Sequence, residues 1–286
     1  MKTLLFSFLA LILVSIQVLS QGTDVRESKQ SKVYFGLNII SAQTKIVNEG
    51  IINASALSIS NRNSMIGSFE MGYCISRFII INVGLGYSTY ASHFSMDSIG
   101  NKFTATDSEN ESYERRVSGN GIKEDQKIAV LNIPACINFQ VPLGEKLGLF
   151  MQAGVSFSIP INKSYSSSGQ FTYTGYYPAY NVVLQNLPNH DFQSGFKNNV
   201  TSDLKLKSFN TDLLASCGIQ FYLKQNVQLI LGVYYSKSLN DVSGYTKSTD
   251  FHISEYANQM NSLMGSTSKA TLESLGIRLG VRYYVW

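Results

Sequence analysis

An all-β chain closing into an eight-stranded antiparallel up-and-down transmembrane barrel is what three observations in this sequence predict. A two-residue apolar period recurs in eight segments, the joins between them alternate between tight turns and long polar stretches, and an N-terminal apolar run reads as an export signal. Past that run no stretch approaches the roughly 18 consecutive apolar residues of a membrane helix, so any crossing of a bilayer falls to strands.

The export signal comes first in the chain. Met1, Lys2 and Thr3 lead into an apolar run from Leu4 to Val14, and Ser20, Gln21 and Gly22 offer a cut after Ser20. Residues 1–20 are therefore expected to be a signal peptide, 21–31 a periplasmic linker and 32–286 the barrel. Tyrosine (17), phenylalanine (16) and glycine (22) are plentiful, and charged residues make up only 15 %, which suits a surface that water does not bathe everywhere. A net charge of +4 with no Lys/Arg block argues against nucleic acid. Cys74, Cys136 and Cys217 are odd in number and lack metal-ligand spacing, so they read as small apolar fillers of strands.

The apolar phase runs through Val33, Phe35, Leu37 and Ile39 in the first strand, and Met65, Phe69, Met71 and Tyr73 in the second. The third carries Ile79, Ile81, Val83, Leu85 and Tyr87, the fourth Ala129 to Val141, and the fifth Leu147 to Phe157, each in steps of two. Leu213 to Phe221, Val227 to Tyr235 and Leu275 to Tyr283 supply the sixth, seventh and eighth. Each segment is about nine to thirteen residues long, the span of a tilted membrane strand. The alternate phase is small or polar throughout, so one face wants hydrocarbon and the other wants water or polar partners.

Strands two and three join across Ser76-Arg77, four and five across Leu143 to Lys146, and six and seven across Lys224 to Asn226. Between the other pairs lie polar stretches of roughly Thr44 to Asn63, Ala91 to Asp125, Pro160 to Lys207 and Lys237 to Lys269. Short periplasmic turns opposed to long extracellular loops are the outer-membrane pattern. Pairing of the eighth strand with the first would remove the sheet edges, as lipid requires. Tyr283, Tyr284 and Trp286 then form the aromatic end of an assembly strand that the barrel assembly machinery would read.

The inward phase places Glu70, Asp212, Arg278 and Arg282 in one polar lumen, where buried charges need partners. An eight-stranded interior is filled by side chains, which disfavours a diffusion pore. His93, His190 and His252 all sit in the long stretches with no nucleophile motif around them, so the chain reads as non-enzymatic, and nothing in it calls for a cofactor. The acidic stretch from Ser92 to Asp125 lacks the spacing of a calcium loop and reads as a solvated face. In the third loop, Tyr173, Tyr176, Tyr177 and Tyr180 stand among further aromatics, and both self-packing and a binding surface fit them. Tyr256, Met260, Leu263 and Met264 have helical spacing after Ser254, which suggests a short amphipathic helix capping the barrel mouth.

The stretch VLNIPACINFQVPLGEKLGLFMQAGVSFSIPI, with its Leu131-Asn132-Ile133-Pro134 opening and Gly-containing turn, resembles the central hairpin of the PorT-like outer-membrane β-barrel family. That resemblance implies the barrel fold and an outer-membrane location, and, from some members, a part in protein secretion. Asn132 stands where the family often has an acidic residue, and Val155 where it often has proline. The expectation is a monomeric outer-membrane barrel that acts through its extracellular loops or through an envelope or secretion protein, with membrane lipid as its surroundings. Two alternatives stay open at this point: a small permeation protein, and a soluble lipocalin-like binder, which would need the apolar phase to face inward.

Overall fold

Strands run almost the whole length of the computed structural model, which describes residues 32–49, 57–224, 226–246 and 252–285. The expected signal peptide, the linker and Trp286 lie outside the described residues. In chain order the strands are β1 (Val33–Glu49), β2 (Leu57–Cys74), β3 (Ile79–Thr106), β4 (Ser112–Pro142) and β5 (Leu147–Tyr177). They continue with β6 (Val182–Leu184), β7 (Phe196–Asp203), β8 (Asn210–Lys224), β9 (Val227–Ser238) and β10 (Lys269–Val285). Every pairing is antiparallel, in the order β4-β3-β2-β1-β10-β9-β8-β5, and β4 also pairs with β5. Eight strands thus close into a ring, while β6 and β7 are short additions to the upper part of β5. Closure is long: β1 and β10 pair from Val33 opposite Val285 to Glu49 opposite Lys269.

In the membrane-spanning part the apolar phase faces out. Leu37, Ile39, Met65, Leu85, Ile137, Val233, Ile277 and Leu279 are all exposed on the barrel wall, whereas Asn38, Glu70, Asn138, Gln152 and Arg278 are buried inside. Hydrocarbon takes the outer row, and the polar row is sheltered with its partners. This is the reverse of a lipocalin-like arrangement. Among the described residues no helix is long and apolar enough to cross a membrane; the strands do so.

The stretch from Ala91 to Asp125 is largely strand, against the expectation of a long loop, and in the stretch from Pro160 to Lys207 β5 runs on to Tyr177, as the alternation of Phe171, Tyr173 and Tyr176 suggests. β3 runs for 28 residues and β4 and β5 for 31 each, well past the lipid-facing band. Above that band the polarity of the two faces reverses. Phe94, Met96, Ile122, Ile128, Val130 and Leu272 point inward into an apolar core, and Lys123 and Lys127 point outward into water. Between Asn120 and Lys123 the register of β4 on β5 shifts around Gly121, whose φ of +60° suits glycine. Beyond this bulge the inward residues are the odd-numbered Gly119, Val117, Arg115 and Tyr113 instead of the even-numbered Ile122, Glu124 and Gln126.

The connection between β9 and β10 folds into this head. Ile253, Met260, Leu263 and Met264 are buried in the same apolar core. The expected amphipathic helix is a single 3-10 turn, Leu263–Ser266, capped by Ser262 and buried on every side. Buried in the head's core, the turn has no outer face from which a longer helix could meet water.

Candidate functional site

Two buried polar centres stand out, one in the lumen and one in the head. In the lumen, β2 brings Glu70 inward opposite the two arginines of β10. Arg278 Nη2 lies 2.9 Å from one Glu70 oxygen and Arg282 Nε 2.9 Å from the other. Tyr34 donates to Glu70 at 3.3 Å and Asn82 at 3.2 Å, so the carboxylate is fully engaged. Arg278 also reaches Asn38 at 2.9 Å and Gln152, linking strands on opposite sides of the barrel. Arg282 is fully buried, with its guanidinium 4.7 Å over the Tyr34 ring. A β-carbon at Gly72 would enter that ring, so glycine makes the room in which Tyr34 lies.

Asp212 shares the lumen but stands apart from both arginines. Its oxygens accept from Ser238 at 2.7 Å and from Ser158, both hydroxyls of neighbouring strands. An apolar layer of Ile40, Ala42, Ile66, Cys136, Leu214 and Tyr234 fills the section between the two acids. A cavity of about 40 Å³ beside Glu70, Gln152, Ser156 and Arg278 has room for a few waters.

The head centre was read from the sequence as solvated surface, and there the structure differs. Glu124 is buried, and four donors converge on its carboxylate. Gln126 Nε2, Ser167 Oγ and Ser262 Oγ each lie at 2.6 Å and the Leu263 N–H at 2.8 Å. Burial pushes the Glu124 carboxyl above the usual range, against the pull of these donors. Arg115, equally buried, has no carboxylate partner among the described residues. It donates to the Glu255 carbonyl at 2.9 Å, the Asp191 carbonyl at 3.2 Å and the Tyr113 hydroxyl at 3.4 Å, under the rings of Tyr256, Phe192 and Tyr173. Glu124 and Arg115 together pin residues 252–268 between the walls. The signal for Glu124 in the sequence was an inward row, Ile122, Glu124, Gln126, Ile128, whose polar members hid its apolar ones, while Arg115 lies in the other phase beyond the bulge.

The four tyrosines of the third loop divide by face. Tyr173 and Tyr177 are buried, the first donating to or accepting from Ser254 at 2.7 Å and the second donating to Asp107 at 3.0 Å. Tyr177 is pushed up to about 12, mostly by burial. Only Tyr176, under Arg116 at 4.4 Å, and Tyr180, 62 % exposed and bonded to Glu111 at 2.7 Å, reach the outside. In the closing strand Tyr283 faces lipid, while Tyr284 turns inward and donates to Gln228 at 3.0 Å. The three cysteines are free: Cys136 is buried in the lumen, Cys217 is on the outer wall and Cys74 is half-buried. His93 meets Asp125 at 3.2 Å on the outer wall, but Arg62 holds the same oxygen at 2.9 Å.

A family model described as outer membrane protein beta-barrel domain matches residues 20–244. The chain belongs to this family. It is a β-barrel protein of the cell outer membrane, with the short turns and the long strands placed as that location requires. Solved structures similar to this outer-membrane barrel include Ail, the attachment invasion locus protein of Yersinia pestis, at 10 % identity and a TM-score of 0.33, covering 88 % of this chain and 99 % of Ail. Neisserial surface protein A matches at 12 % identity and a TM-score of 0.35, over 88 % of this chain and 97 % of its own. OprG from Pseudomonas aeruginosa does so at 9 % identity and 0.38, over 90 % and 98 %. No curated protein matches the barrel.

Proposed function

We propose that this outer-membrane barrel is a non-conducting, non-enzymatic anchor that presents its β-built head to a protein partner of the envelope or the cell exterior. The observation that carries the reading is the packing of the interior among the described residues. The Glu70–Arg278–Arg282 network, the apolar layer above it and the docked 252–268 segment support it by packing the interior at three successive levels. The wall that emerges from the membrane is rigid strand, so effort spent on ordering a surface has already been made before a partner arrives. Lipid meets the apolar band, the barrel assembly machinery inserts the chain, and one copy suffices to close the ring. The Leu131-Asn132-Ile133-Pro134 strand opening favours the PorT-like branch of the family, and with it a partner in protein secretion.

Purified barrel reconstituted into planar lipid bilayers tests this directly. The expected record is flat in wild type, with steps arising only in a variant such as Arg278→Ala that thins the lumen network. Reproducible unit conductance in wild type would move the protein to the permeation class.

A further inference from the structure

The head packs most of its large apolar side chains away from water. Phe94, Phe171, Tyr173 and Phe192 are buried, and Phe103 and Phe196 lie partly buried against the core. Phe209, stacked on Phe157, and Leu239, whose N–H bonds the carbonyl of Thr211 opposite Phe157, mark the upper rim of the lipid-facing band. Above that rim the exposed large apolar residues among the described ones are Tyr180, Val182, Val183 and Leu187, between 39 and 62 % exposed. They follow the end of β5, which runs sixteen residues past the lipid-facing Ile161, or about 50 Å of strand. Lipid does not account for a patch so far from the membrane.

The patch is held in place. β6 pairs with the end of β5 and sets Val183 opposite Tyr176 and Val182 opposite Tyr177. Tyr176 donates to Asn181 at 3.1 Å, and Asn181 takes the turn's positive φ of +53°. Leu187 is bridged to Phe192, whose ring lies against the buried Arg115. A surface fixed in this way loses little freedom when it is covered.

Carboxylates crowd the same end. Glu111 accepts from the Tyr180 hydroxyl at 2.7 Å and Asp107 from the Tyr177 hydroxyl at 3.0 Å, and Glu109 stands between them on the turn from β3 to β4. Among the described residues no Lys or Arg pairs with these three, while Lys102 and Arg116 share Glu114 at 3.7 and 2.6 Å. Apolar side chains beside uncompensated negative charge are complementary to a chain that carries positive charge beside its own apolar groups.

We infer that this tip is the contact surface of the head, and that it takes a protein segment in which Lys or Arg flanks an apolar side chain. This deepens the binding-head reading and rests on it. A second copy of the chain would set the same carboxylates against each other, and four side chains present far less than the roughly 800 Å² per partner of a stable interface. An anionic bilayer meets the same repulsion.

The full-length barrel in lipid nanodiscs, panned against a phage-displayed library of random peptides, tests the assignment. The result expected is a set of peptides with Lys or Arg beside an apolar residue, whose binding weakens as salt rises. Val182→Ser combined with Val183→Ser should weaken them at least tenfold. Glu109→Gln combined with Glu111→Gln should weaken them several-fold and make the salt dependence shallower. Protease resistance of the head and the heat-dependent gel shift of the barrel should stay unchanged in both. Tyr180→Ala serves as a further variant should the valine pair disturb the fold. Peptides indifferent to all of these changes, peptides without a basic residue, or a panning that yields none would each overturn the tip. So would binding of phosphatidylglycerol vesicles, or a concentration-dependent dimer, that the valine changes abolish, since these name a facing bilayer or a second copy as the occupant. Peptides that bind the head elsewhere overturn the tip and leave the anchor reading standing, whereas unit conductance in the bilayer recording overturns the anchor reading itself.

Discussion

Glu70 accepts from two guanidinium groups, a phenol and an amide inside a barrel wall that faces lipid, so removing it strands two buried cations at once. Glu70→Ala should lower the unfolding free energy by about 3–5 kcal/mol, read from urea titration of the refolded barrel in micelles. Asp212→Asn should cost only about 1 kcal/mol in the same titration, because its partners are hydroxyls that an amide oxygen also satisfies. Equal losses from the two changes would contradict the separation of the acids into different layers. Gly72→Ala drives a methyl into Tyr34 and should cost about 1–3 kcal/mol, whereas Gly67→Ala, which meets open space, should be near neutral. Glu124 gives a pH signature of its own. Its folded carboxyl lies above the ordinary value, so the associated stability is fully present below that ordinary value and declines as pH rises through the raised one. Amide exchange at Leu263, corrected for its intrinsic rate, should therefore show tighter docking in mild acid than at neutral pH, and Glu124→Gln should flatten the slope. A flat wild-type profile would sink this account. That Glu70, Arg278 and Arg282 share one lumen was legible because all three sit in the polar phase. Asp212 sits in it too, yet phase says nothing of height along the barrel, and so its separation was not legible.

At the level of elements, the eight membrane strands could be read because lipid outside and polar contacts inside impose one constant pattern. β3, β4 and β5 kept their strand conformation above the membrane while that pattern changed twice. It changed first where water replaced lipid outside and an apolar core replaced the polar lumen, and again at the Gly121 bulge. A reader following a single phase sees Ala91 to Asp125 as polar noise, and Arg115 and Glu124 as surface charges. Gly121→Val tests the bulge, since a β-branched residue disfavours positive φ. The expected outcome is a head that loses protease resistance while the membrane barrel keeps its heat-dependent mobility. Joint loss of both would mean that the two halves fold as one unit.

For the whole molecule, a membrane ring without edges explains how the chain tolerates lipid, and the packed lumen is what directs the proposed role to its surface. The seam strand adds a further constraint. Ala270 and Leu272, at the start of β10, are part of the head's core, and the segment that plugs the head immediately precedes that strand. One strand therefore supplies both the β1–β10 seam and part of the head's core. A chain stalled one strand short displays an unfinished exterior, open to extracellular proteases. Closing the seam and completing the exterior are thereby one structural event.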